Sequence, residues 1–121
     1  MAAPNLVNVS TITAKSLQAA LDTTLTTEIL ANAAASGKVY KINNIIISNI
    51  DGTNSADASV FITKSGGSPI AIASTIAVPA DSTLVAVDKN TSLYLEEGDN
   101  IEAGASADGD LVITINYEEL S

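Results

Sequence analysis

From Lys38 onward the sequence is a succession of short β-branched runs, each cut off by a cluster of Gly, Pro, Asn, Asp or Ser. That punctuation constrains the fold more than any other feature, because no segment there is long enough to build an amphipathic helix. Short strands bury an apolar face only by packing one sheet against another. The last run, "LVITINYEE", alternates most regularly. Leu111, Ile113, Ile115 and Tyr117 are expected to face the core, with Val112, Thr114 and Asn116 on the other side.

"KVYKINNIIISNI" carries Ile45, Ile46 and Ile47 in succession, which one side of a flat strand cannot accommodate. It predicts either a strand covered on both faces or a bulge that shifts parity. "ASVFITK" and the turn "SGGSP" follow. In "IAIASTIAV", Ile70, Ile72, Ile76 and Val78 share one parity, while Ala71, Ala73, Thr75 and Ala77 share the other. Pro79 ends that run, since it has no N–H for a ladder. "TLVAVD", "SLYLEE" and "IEAGAS", the last weakened by Gly104, complete the series. "ADGD" and the polar stretch from Ile50 to Asp57 are both read as hairpins.

Residues 16 to 36 read two ways. Leu17, Leu21, Leu25 and Ile29 fall at four-residue steps, and Gly37 would cap a helix. The Thr-rich centre "DTTLTTE" disfavours one, and two short strands with a turn near Asp22 are expected. Residues 1 to 15 read as an extended arm or edge strand, and residues 16 to 121 as a single domain. The expected fold is all-β, an antiparallel sandwich of jelly-roll-like character.

The core must be aliphatic, because the only aromatic residues are Tyr40, Phe61, Tyr94 and Tyr117. Abundant small residues predict sheets packed closely. With five Lys, no Arg and 14 acidic residues, the net charge of −9 has the wrong sign for a nucleic-acid backbone. "MAAPNLVNVS" lacks the basic start and apolar run of a secretory signal, and no membrane span is expected. Asn8-Val9-Ser10 and Asn90-Thr91-Ser92 are accordingly expected to be chance matches to a glycosylation triplet.

Candidate chemistry is sparse. Asp51, Asn54 and Asp57 surround Gly52 with oxygen-bearing side chains, but a calcium loop counted from Asp51 has Ser55 at its fifth position and Ile62 where a bidentate Glu is required. Eight of the 14 acids lie in the last quarter of the chain (Glu96, Glu97, Asp99, Glu102, Asp108, Asp110, Glu118 and Glu119), and no Lys follows Lys89. These are expected to form a solvated surface, with docking of a basic partner as the functional alternative. The chain has neither His nor Cys, which removes the usual nucleophile-base pairs and zinc ligands. Ser-Lys chemistry at Lys15-Ser16 or Lys64-Ser65 would rest on adjacency alone. No catalytic, cofactor-binding or metal-binding residue is expected.

Taken in order, "SGKVYKINNIIISNIDG", "ASVFITKSGG" and "ASTIAVPADSTLVAVDKNTSLYLEEGDNIEAGASADGDLVITINYEEL" resemble a family of small β-sandwich virion proteins of tailed bacteriophages, found in phages of marine bacteria and cyanobacteria. The resemblance covers about two-thirds of the chain, and "LYLEEGDNI" leading to a closing "YEE" is its most specific part. It implies a non-enzymatic role on the virion, made in the host cytoplasm. The expected role is a capsid decoration (cement) protein, commonly trimeric, bound to the major capsid protein. Collar, neck or tail-fibre placement and a glycan-binding module are the alternatives. Neither nucleic acid nor membrane is expected as a partner. An arm over residues 4 to 15 would add a strand to a neighbouring subunit.

Overall fold

The computed structural model describes residues 6 to 121. Nine strands carry the fold: β1 (Ile12–Ala20), β2 (Thr27–Ala31), β3 (Val39–Asn49), β4 (Ala56–Thr63), β5 (Ile70–Val78), β6 (Thr83–Val87), β7 (Leu93–Leu95), β8 (Asn100–Ala105) and β9 (Leu111–Leu120). One sheet has the order β1-β9-β3-β6, with β7 also paired to β3, and the other has the order β2-β8-β4-β5. Every pairing is antiparallel. The chain passes from sheet to sheet at nearly every connection. A long ribbon of paired strands (β1 with β9, β2 with β8, β3 with β6 and β7, β4 with β5) is thus rolled into a jelly roll.

The core lies between Ile42, Ile45, Ile47, Ile113 and Ile115 of the first sheet and Ala58, Val60, Ile101, Ala103 and Ala105 of the second, all at most 1% exposed. Large side chains on one sheet meet small ones on the other, so the layers approach closely and interdigitate. The abundance of alanine has its structural reason here. β9 buries Leu111, Ile113, Ile115 and Tyr117 and leaves the residues between them half-buried, as its alternation predicts.

The triple Ile of β3 is resolved by a bulge. Pairing with β9 shifts register between Ile42 and Asn44, leaving Asn43 without a partner in the ladder. Tyr40 and Ile42 are buried on one side of the bulge, Ile45 and Ile47 on the other, and Ile46 turns to the outer face. Residues 16 to 36 form strand, turn and strand, with no helix.

The hairpin expectations are corrected. The loop at 50–55 is no hairpin, because β3 and β4 belong to different sheets, and the turn at 106–110 likewise crosses between β8 and β9. Asp-Gly chemistry specifies a sharp local bend but not whether the strands it joins lie side by side. The parity of β5 does not translate into burial: Ile70 is 64% and Ile76 40% exposed. β5 is an edge strand whose pairing with β4 breaks register twice, and Thr75 adopts φ of 53°. Residues 12 to 15 belong to β1, which runs on to Ala20, pairs with β9 and lies at the edge of its sheet, as the edge-strand reading of that stretch has it. The rest of the arm reaches into residues 1 to 5, outside the described part.

Candidate functional site

The polar side chains that sequence reasoning singled out separate into two groups. At one end of the sandwich, four crossing loops are laced together by backbone bonds: Asp81 N–H to Asp51 O (3.3 Å), Ile50 N–H to Asp110 O (2.9 Å), Ala105 N–H to Asp22 O (2.8 Å) and Ser106 N–H to Asp57 O (2.9 Å). This end gathers Asp22, Asp51, Asp57, Asp81, Asp108 and Asp110 without a single Lys. The other eight acids share the rest of the molecule with all five Lys. Charge is therefore polarised along the sandwich, which the sequence concealed because Asp22 and Asp51 lie far from Asp108 in the chain.

Within that end the Asp51 carboxylate accepts from the N–H groups of Thr53 (2.8 Å) and Asn54 (3.3 Å) and from the Asn54 amide (3.3 Å). The Thr53 N–H foremost, then the Asn54 donors, hold its pKa below the usual carboxylate value. Asn49, 3% exposed, anchors the loop from beneath. Its amide donates to Asn54 O (3.0 Å) and Val78 O (2.9 Å) and accepts from Asp51 N–H (2.9 Å). Asp57 stands on β4, its N–H donating to Ser106 Oγ at 2.8 Å. Asp51, Asn54 and Asp57 are thus three parts of a loop closure and do not converge as ligands. Among the described residues no group of three His, Cys, Asp or Glu side chains is placed to hold a metal ion.

The opposite end contains Asp99, the most buried carboxylate among the described residues and a departure from the expected solvated surface. It is 2% exposed and accepts from Ser65 N–H (3.0 Å), Glu96 N–H (2.8 Å) and the Lys64 ammonium. Lys64 also bonds Glu96 at 3.1 Å. Burial pulls the Lys64 pKa down, but the bonds to Asp99 and Glu96 outweigh it and the ammonium titrates above its ordinary value. A lysine held protonated is unsuited to act as the base for Ser65. Asn32, 1% exposed, completes this end. Its amide donates to Lys38 O (2.8 Å) and Leu95 O (3.0 Å) and accepts from Ser36 Oγ (2.6 Å).

Lys15 and Lys38 both meet Glu119, at 3.5 and 3.3 Å. Burial pushes the Glu119 pKa up, but Lys38 and then Lys15 bring it below the ordinary value. Beside it the Tyr40 and Tyr117 rings lie 5.2 Å apart, tilted by 37°. Burial first, then the Glu119 charge, raises both phenol pKa values.

Two depressions mark the surface. One, of about 350 Å³, is floored by Asn43, Asn116 and Tyr117; the other, of about 230 Å³, lies between Leu25, Ser59 and Thr75. Lys15 and Ser16 both line the first, where Lys15 pairs with Glu119 and Ser16 Oγ accepts from the Gln18 amide at 2.7 Å. The chain matches no protein-family model and no curated protein.

Proposed function

We propose that this chain is a non-enzymatic structural subunit of a tailed-phage particle, a decoration protein that seats as a homo-oligomer on the head shell. Its partner is the major capsid protein, and its site of action is the capsid surface. The identity of the particle rests on the motif order described above; the physical support comes from the polarised charge. An end that presents six Asp and, among the described residues, no Lys fits a basic patch on the shell and orients the subunit as it approaches. The buried polar side chains serve the same end. Asn32, Asn49 and Asp99 bond to backbone across loops, and Ser59 Oγ accepts from Thr75 N–H at 3.0 Å. They stiffen the connections of a scaffold. A rigid sandwich bridging shell subunits resists the outward pressure of packaged DNA.

Co-sedimentation of the purified protein with heads that lack it tests the reading. Saturable binding is expected, weakened as salt shortens the screening length from about 10 Å at 0.1 M to about 3 Å at 1 M. Joint Asp51→Asn, Asp81→Asn and Asp110→Asn substitution should weaken it too. Failure of the wild-type protein to sediment with heads in low salt would refute the proposal.

A further inference from the structure

A jelly roll built from two open sheets has four edges, and three of them are interrupted. β2 has five residues and a register shift between Glu28 and Leu30. β5 breaks register twice, with Thr75 in left-handed backbone, and runs into Pro79. β6 shifts at Ile45/Ile46 and is separated from β7 by the short turn Lys89–Thr91. Such interruptions blunt an edge against further pairing. β1 is different: its nine residues pair with β9 in unbroken register from Ile12↔Leu120 to Ala20↔Val112.

The hydrogen bonds at its two ends fix which groups point outward. Thr11 and Ser121 exchange both bonds (2.9 Å each), and Leu21 N–H donates to Leu111 O at 2.9 Å. Reciprocal pairs recur at every second residue of an antiparallel ladder, so Thr13, Lys15, Leu17 and Ala19 bond to β9. Ile12, Ala14, Ser16, Gln18 and Ala20 therefore turn N–H and C=O away from the sheet, and all five are exposed.

We infer that β1 is the contact by which two copies of this chain pair, antiparallel, about a two-fold axis through Ser16. Charge permits a second copy as the occupant. Each copy carries −9, yet β1 itself holds no acidic residue and one Lys, so two copies meet along it without opposing carboxylates on the paired strands. The register follows from the side chains. Centring on Ser16 matches all nine residues, setting Ile12 against Ala20, Ala14 against Gln18 and Lys15 against Leu17 of the second copy. Centring on Lys15 would oppose two lysines directly, which is destabilising. Centring on Leu17 leaves Ile12 and Thr13 unpaired. The product is a continuous sheet across both molecules, an isologous contact. It predicts dimers or even multiples in place of the trimer that the resemblance implies. The inference is independent of the virion reading and neither stands nor falls with it.

Sedimentation equilibrium of the full chain is the test. The wild type should show twice the 12.3 kDa of one chain. Ser16→Lys and Ser16→Glu should each halve that mass, since residue 16 faces its own copy, and mixing the two variants should restore it. Ser16→Cys, in a chain with no cysteine of its own, should give a disulfide-linked dimer on oxidation. A monomeric wild type, an oligomer unaffected by Ser16→Lys, or a Ser16→Cys protein that does not cross-link would each overturn the inference.

Discussion

Gly104 offers the sharpest stability prediction. The β1–β2 loop crosses the outer face of β8 so closely that a Cβ on Gly104 would lie 2.5 Å from Leu25 Cα, 2.6 Å from Thr24 O and 2.9 Å from Leu25 N. All three atoms are backbone, so no side-chain rotation relieves the clash. Nor can the loop lift freely. Asp22 Oδ1 accepts from Thr24 N–H (3.0 Å) and Thr27 Oγ1 (3.0 Å), and Asp22 O accepts from Ala105 N–H at 2.8 Å. Normal carbon–carbon contact begins near 3.5 Å, so Gly104→Ala must move the loop by about 1 Å. Overpacking of this kind costs about 1–3 kcal/mol, and loss of the Ala105 bond adds about 1 kcal/mol. The reduced freedom of the unfolded alanine chain offsets about 0.4–1 kcal/mol. The net loss is about 1–3.6 kcal/mol, a fall in Tm of roughly 4–14 °C for a domain of this size. Urea and thermal unfolding followed by circular dichroism measure it. Gly66→Ala is the comparison: φ is +75° there but nothing lies within 4 Å of the new carbon, so only the left-handed strain of about 1 kcal/mol applies. Equal stability of Gly104→Ala and wild type would refute the close-approach argument.

Three further outcomes are expected. Asn49→Ala leaves Val78 O and Asp51 N–H without their side-chain partner and should cost about 2–4 kcal/mol, read as a lower urea midpoint at unchanged m-value. Asp99→Ala should lose a similar amount, because the N–H groups of Ser65 and Glu96 lose their acceptor, and limited proteolysis should then cut first near Ser65. Stability should fall at both pH extremes. Glu119, with its pKa lowered, contributes above the unfolded value of about 4.5 and loses that contribution as acid takes the pH through the folded value. Lys64, with its pKa raised, contributes below about 10.5 and loses it as pH climbs through the folded value. Glu119→Gln should flatten the acid limb of a plot of Tm against pH.

Much of this fold is legible from local chemistry. The alternation of β9 and the parity problem of β3 are properties of consecutive residues, and the structure answers both as local physics requires. The crossings at 50–55 and 106–110 were misread for the converse reason: a Gly-containing bend looks alike whether the next strand returns beside its neighbour or joins the opposite sheet. The alternation of β5 does not set its burial: on this edge strand Ile70 and Ile76 stay exposed while Val78 is buried. Gly104 read as a weak point in a strand, since its neighbours Thr24 and Leu25 lie far away in sequence. The roles of Asn32, Asn49 and Asp99 were equally hidden. Asparagine and aspartate are ordinary loop residues, and nothing local distinguishes a buried staple from a solvated turn. The Asp-lined end emerges only when the roll brings four separate loops together.

The proposed virion role is tested most directly by cryo-electron microscopy of tailed-phage particles grown with and without this chain, as wild-type and deletion stocks. The account predicts density for the sandwich repeated over the head lattice, absent from the deletion stock, whose heads should break at lower temperature. Density confined to a single collar ring or to tail fibres, or particles identical in the two stocks, would contradict it.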